Sequence, residues 1–263
     1  MTDIFIKATN ITKTFTVGEE DVQVLKEINL EIEKGDFAII FGPSGSGKST
    51  LLHALLGLEA PTTGNITIEG KDFYAMTEDE RAIYRRHRVG MIYQQALWIN
   101  SLNVRDNVTF ALNLLDYNTQ MIQEKGEAVL KMVGMENWAS HRPTELSSGQ
   151  QQKISLARAM VIDPLLMVAD EPTGNLDTVS GLNLMQTFLD INAKGITIVM
   201  ITHDLDYLKY ATKLIHVLDG NVVEIYAPKK RVKKVDQNNA ANEGKEGKTV
   251  DLRSPDYLKK LQL

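Results

Sequence analysis

Apolar positions fall into short blocks along the chain, and their spacing changes from one block to the next. Residues 37–41, 165–169 and 196–201 are nearly unbroken apolar runs, the pattern of strands buried on both faces. Each is followed by a helical pattern, at 51–58, 182–189 and 204–211. Strand then helix, repeated, predicts an α/β fold with a mostly parallel central sheet. The first 36 residues read differently. Residues 22–25 and 28–32 are expected as short strands, and Ile66-Thr67-Ile68-Glu69-Gly70 adds another that ends in a turn. These imply an antiparallel β lobe in addition to the parallel sheet. From 105 to 138 the apolar spacing is near 3.6, with Val108, Ala111, Leu112 and Leu115, then Val129, Met132 and Val133. This predicts a helical subdomain over about 100–160.

Composition narrows the class. Of 263 residues, 43% are hydrophobic and 24% charged, enough apolar material for one large domain, expected at 1–227. The remainder, 228–263, is polar and is expected to be a basic, flexible extension. It carries +5 of charge, which leaves −10 on the body within a net charge of −5. An acidic body argues against broad nucleic-acid binding. Lys229-Lys230-Arg231-Val232-Lys233-Lys234 suits either solvent or an anionic lipid surface. There is no cysteine, which excludes disulfides and thiolate metal sites. No apolar stretch approaches the ~18 residues of a membrane span, and the start at Met1-Thr2-Asp3 lacks a signal-peptide pattern, so a cytoplasmic location is expected.

Two clusters carry chemistry. Gly42-Pro43-Ser44-Gly45-Ser46-Gly47-Lys48-Ser49 matches G-x-x-x-x-G-K-[ST], directly after the strand predicted at 37–41 and before the apolar helical pattern at 51–58, and with Thr50 these residues are the expected phosphate-binding set. In such a loop the backbone N–H groups close around phosphates, the helix points its positive end at them, Lys48 adds a full charge and Ser49 offers a hydroxyl to Mg2+. At the end of a second predicted strand stand Asp170 and Glu171. Asp170 is placed to hold Mg2+ through water, and Glu171, expected in an extended backbone before Pro172, to polarise an attacking water.

A third segment, Leu146-Ser147-Ser148-Gly149-Gln150, reads locally as a capping box, with Ser147 and Gln150 opening a helix through Ile154, Ala157 and Met160. It also resembles the LSGGQ signature of ATP-binding-cassette (ABC) ATPases, and it precedes Asp170-Glu171 where that family places it. The resemblance covers about 4–225. It implies a P-loop NTPase fold with a helical signature-motif subdomain, and an ATPase that binds ATP and Mg2+. By the same resemblance, Gln94 is the Q-loop glutamine that senses Mg2+ and water, and His203 the switch histidine at the γ-phosphate. Asn175 and Asp177 lie in the D-loop at a dimer seam, and Phe15 is the ring that stacks on adenine. Ser147, Ser148, Gly149 and Gln150 would grip the phosphate in trans. The sequence departs from the family at Ser148, usually Gly, and at Phe15, commonly Tyr.

Glu171-Pro172-Thr173-Gly174-Asn175-Leu176-Asp177 and Gly42-Pro43-Ser44-Gly45 look like the lipoprotein-release and macrolide-export branch. The resemblance therefore implies an ATP-dependent dimer that drives a separately encoded integral membrane permease from its cytoplasmic face, in export or in extraction from the membrane. Ala96-Leu97-Trp98-Ile99, after Gln94, is either a docking surface for that permease or a buried turn. The alternative class is a soluble ABC ATPase acting on nucleic acid or ribosomes. Such chains usually carry two cassettes, or long coiled-coil or zinc insertions, and neither is present here.

Overall fold

The computed structural model describes residues 3–228; the expected basic extension lies outside the described residues, apart from Pro228. In chain order the strands and helices are β1 (Ile4–Val17), β2 (Glu20–Glu33), β3 (Phe37–Phe41), α1 (Lys48–Leu55), β4 (Thr63–Ile68), β5 (Lys71–Asp72), α2 (Glu78–Arg88) and β6 (Val89–Ile92). They continue with α3 (Val104–Asn113), α4 (Thr119–Met132), α5 (Ser148–Met160), β7 (Leu166–Asp170), α6 (Thr178–Asn192), β8 (Thr197–Thr202), β9 (Lys213–Leu218) and β10 (Asn221–Tyr226). These form two units, one of residues 3–82 with 197–228, the other Ile83–Ile196, the boundary falling within α2.

The first unit holds the antiparallel lobe, a sheet of order β2-β1-β4-β5. The two strands expected at 22–25 and 28–32 are one, β2. Its pairing with β1 shifts register between Leu25 and Ile28, where Glu27 takes φ 52°. That extra residue interrupts the apolar alternation, so one bulged strand imitates two short ones. In the same unit β3 pairs in parallel with β8 and β9, and β10 runs antiparallel to β9. All five residues of β3 are fully buried, which requires a continuous apolar run. Residues 205–210, expected as an ordinary helix, form a tighter 3₁₀ helix that buries Tyr207, Leu208 and Tyr210. Asp204 begins it, its carboxylate accepting from the Asp206 N–H.

The second unit contains β6 and β7 in parallel, with Ile92 opposite Ala169, and every element between Val104 and Met160 is helical. Helix α5 packs against β6 so closely that a Cβ on Gly90 would lie 2.4 Å from the Ala159 carbonyl oxygen. Asn103 caps α3 and Asn118 caps α4, each accepting from the N–H three residues on, the usual remedy for unpaired first-turn donors. The buried Asn107 amide donates to the carbonyls of Ile99, Leu102 and Asn103. One side chain thereby fixes the loop that leads into α3.

Candidate functional site: a phosphate cradle and a polar junction

Parallel strands deliver their following residues to a common edge, and in the first unit that edge carries the glycine-rich loop. Phe41 is paired with Thr202 of β8 and with His216 of β9. The chain therefore emerges as Gly42 and as His203 from neighbouring strand ends. His203 is exposed, with the Thr202 hydroxyl oxygen accepting from the Asp204 N–H behind it. Gly42 has φ 153°, and a Cβ there would sit 2.0 Å from the Val217 carbonyl oxygen. No side chain fits. The loop then turns so that the Lys48 ammonium donates to the carbonyls of Gly42 and Pro43 at 2.9 and 2.8 Å. Ser44 and Gly45 are exposed, and Ser49 and Thr50 open α1.

Three features of this cradle fit a triphosphate. Helix α1 has no side-chain cap at Gly47, leaving its first-turn amides for an anion. The Ser46 hydroxyl is buried with no hydrogen-bond partner, a group that a ligand oxygen satisfies. Lys48, 7% exposed, holds its charge inside the loop. Phe15 is half-buried on the β1–β2 hairpin with the Lys13 ammonium 4.8 Å from its ring centroid, so one face already holds a cation. The same hairpin passes the cradle, because a Cβ on Gly47 would meet the Val24 carbonyl oxygen at 3.0 Å.

The second unit gathers the remaining expected residues into a polar junction. Gln94 follows β6 and is exposed; Asp170 ends β7 and is half-buried. Glu171 corrects the expectation of extended backbone, since its φ is 48°. The strand must stop there, and the chain folds into a turn in which the Gly174 N–H donates to the Glu171 carbonyl at 3.1 Å. Proline at the second position suits that turn, at the cost of a left-handed residue ahead of it. Asn175 donates to the Gln94 carbonyl at 3.3 Å. Asp177 caps α6, accepting from the Ser180 N–H and hydroxyl; those bonds from Ser180 hold its carboxyl below the usual range.

The signature segment opens α5 with the expected capping box. Ser147 N–H donates to the Gln150 side chain at 2.9 Å, and Gln150 N–H to the Ser147 hydroxyl at 3.3 Å. Ser148 is exposed with a negative φ, so no glycine is needed there. Gly149 is the tight position, where a Cβ would lie 2.9 Å from the Ser180 hydroxyl oxygen. The 96–99 run is neither strand nor helix: Leu97 is 69% exposed, Ile99 38%. Trp98 lies beneath the Arg158 guanidinium and donates to Gln151 at 2.9 Å. Burial weakens the Arg158 guanidinium's hold on its proton. Burial also pushes the Tyr93 phenol up, with a smaller push from Asp170.

Sequence reading passed over Gln152. Its buried amide donates to the carbonyls of Tyr93 and Pro172 at 3.1 and 2.8 Å. The available signal was a glutamine three and four residues before Ser155 and Leu156, on the helix face that is otherwise buried.

Comparison with known proteins now gives this geometry a family. The family described as "ABC transporter" matches residues 25–174. An uncharacterized ABC transporter ATP-binding protein of Methanocaldococcus jannaschii is 44% identical over 220 residues, covering 84% of this chain and 98% of that one. A macrolide export ATP-binding/permease protein of Chlorobaculum tepidum is 39% identical over 83% of this chain, which spans only 34% of that protein. Among solved structures, an ATP-binding cassette in a dimeric post-hydrolysis state bound to ADP and phosphate is 36% identical, with a TM-score of 0.78 over 84% of this chain and 98% of that one. Among the described residues no helix is long and apolar enough to cross a membrane. The chain belongs to the ABC transporter family, as an ATP-binding subunit that hydrolyses ATP with Mg2+.

Proposed function

We propose that two copies of this chain close around two Mg-ATP and drive a separately encoded permease from the cytoplasmic face of a membrane, in export or in extraction of a substrate from the bilayer. The observation that carries this function is the cradle, in which an uncapped α1, a buried unpartnered Ser46 hydroxyl and an inward Lys48 converge. Residues 1–227 serve as the ATP-binding domain, with 228–263 as an extension.

Backbone amides from Gly42 to Thr50 and the Lys48 ammonium hold the phosphates. Phe15 offers its open face to adenine, and His203 meets the γ-phosphate. Ser49, Asp170 and Gln94 supply oxygen donors of the kind Mg2+ accepts alongside substrate phosphates, not a protein-only cage; among the described residues no three His, Cys, Asp or Glu side chains gather into one. Bound Mg2+ offsets phosphate charge during transfer. Glu171 orients and polarises the attacking water. Catalysis is mostly positioning and charge stabilisation, since phosphoryl transfer asks for little covalent help.

The capping box of α5 uses the amides of Ser147 and Gln150, which leaves those of Ser148 and Gly149 to receive a phosphate from the other copy. Asn175 and Asp177 lie at the same seam. Exposed Leu97 and Ile99, on a loop pinned by Asn107 and Trp98, offer the permease an apolar contact next to Gln94. The relative in Methanocaldococcus jannaschii, named only as an ATP-binding protein and matched over 98% of its length, supports a permease on a separate chain, whereas the export protein is named for both functions.

Glu171→Gln tests this directly. The variant should bind ATP, lose about 10²- to 10⁴-fold in turnover and accumulate as a closed dimer. Purified from detergent-solubilised native membranes with ATP present, it should bring along an integral membrane protein. Normal turnover removes Glu171 as the base, and recovery of ribosomes or DNA-bound proteins overturns transport.

A further inference from the structure

Two backbone exits matter most in the second unit. Tyr93 leads directly into Gln94, and Pro172 directly follows Glu171. Both carbonyls accept from a single nitrogen, Nε2 of Gln152, 59 and 20 residues away in sequence. Gln152 is 4% exposed and sits in the second turn of α5, the helix opened by Ser147. One carboxamide therefore ties the signature helix to the two strand ends that carry the Q-loop glutamine and the water-polarising carboxylate.

The tie is needed because of Glu171. A non-glycine residue at φ 48° is strained, and such strain persists only where neighbours over-determine it. Ahead of the residue, β7 is fixed by its parallel pairing with β6. Behind it, the Gly174 N–H holds the Glu171 carbonyl and the Gln152 amide holds the next carbonyl, that of Pro172. Proline has no N–H, so this carbonyl is the one backbone handle on that residue. Both hydrogens of the Gln152 amide are spent on carbonyls, which only a double donor satisfies.

We propose that Gln152 is a positioning residue for hydrolysis: it holds the Glu171 turn and the Gln94 strand exit in register with the signature helix, so that a shift of α5 is felt at the water-polarising carboxylate. This rests on the assignment of Glu171 as the base. Gln152 is buried and its amide is spent on two backbone carbonyls, so its loss should act on turnover and not on ATP affinity.

The test uses the purified full chain with Gln152→Glu and Gln152→Met. Both keep length and helix propensity. Glu presents only acceptors to two carbonyls, and Met presents neither donor nor acceptor of comparable strength. Phosphate release should fall about 10- to 100-fold, the scale of a misplaced catalytic group, while the Kd for ATP stays within about twofold. In the Glu171→Gln background the same substitutions should add no further loss, because Gln152 acts through Glu171. Turnover within twofold of the unaltered chain in both variants overturns the proposal, and so does a joint fall of turnover and ATP affinity, which marks a merely structural amide. Multiplying losses in the double variants also overturn it. If Glu171→Gln alone hydrolyses ATP normally, the base assignment is what has failed; if that variant is dead while the Gln152 variants are normal, only the role of Gln152 falls.

Discussion

In the cradle, eight consecutive residues from Gly42 to Ser49 carry most of the geometry, whereas at the junction the chemistry-bearing groups are held by hydrogen bonds spanning 20, 59 and 81 positions. Within the cradle Lys48 bonds to carbonyls five and six residues back, and the long-range hold is on backbone, the Gly220 N–H donating to the Ser46 carbonyl at 3.0 Å. A local device of this kind depends on backbone shape, and its failures should be steric and severe. A device assembled from distant side chains depends on donors and acceptors, and its failures should be graded. Substitutions can separate the two.

Of the steric substitutions, the largest effect is expected from Gly42→Ala. Its Cβ would meet the Val217 carbonyl oxygen at 2.0 Å, and both groups are backbone anchored to paired strands, so nothing soft can yield. Overpacking of this sort costs about 1–3 kcal/mol of stability; relieved by moving the loop out of its binding shape, that cost becomes a roughly 10- to 100-fold loss of affinity at 1.4 kcal/mol per decade. Titration with a fluorescent ATP analogue should show that loss. Unchanged affinity would mean that the loop is not the nucleotide seat.

Gly149→Ala should be milder. The obstructing atom is the Ser180 hydroxyl at 2.9 Å, the end of a side chain that can rotate, though it must give up its bond to Asp177. Turnover should drop about fivefold with ATP affinity unchanged, and Ser180→Ala in the same chain should restore part of it. Loss of ATP affinity in Gly149→Ala would break the distinction, because a junction defect would then have reached the cradle.

The same contrast explains what could be read from the sequence. The glycine-rich loop, the strand-end Asp170-Glu171 and the Ser147-x-x-Gln150 cap are contiguous patterns whose spacing dictates their geometry, and each forms where expected. The left-handed backbone of Glu171 was not legible, because the rule for residues before proline points the other way and only the Glu171–Gly174 turn reverses it. Gln152 was hidden because its two acceptors are backbone carbonyls that no side-chain pattern announces. The bulge at Glu27 broke one strand into two apparent ones. Local chemistry was readable and long-range pairing was not.

Between pH 7 and pH 5 a pH dependence should arise in the first unit, at His216. His216 is buried, stacked on Phe41 at 4.7 Å with rings 6° apart, and neither ring nitrogen has a hydrogen-bond partner. Burial lowers its pKa below the usual imidazole value, only partly opposed by Glu224. The unfolded chain then binds the proton more readily, so the stabilisation is fully present above about pH 6.5 and is lost as pH falls through the folded value. The thermal midpoint of the chain should fall between pH 7 and pH 5. His216→Phe, which keeps the stack, should remove that component of the slope, and an unaltered slope would assign it to other groups.

The smallest effect is expected at Ser148, one of the two positions, with Phe15, at which the sequence was expected to depart from the family pattern. Ser148 is the first residue of α5, exposed and at negative φ, while the neighbouring Gly149 faces Ser180. Of the two adjacent sites, the departure falls on the one whose side chain meets solvent and whose backbone any residue can adopt. Glycine at 148, the first helical residue after the Ser147 cap, would only loosen the helix start, by about 0.5 kcal/mol. Ser148→Gly should therefore leave turnover and ATP affinity within about twofold, by steady-state phosphate release. A gain of tenfold would mean that the hydroxymethyl group stands in the path of the phosphate brought by the second copy, and the tight position of the signature would then be Ser148 and not Gly149.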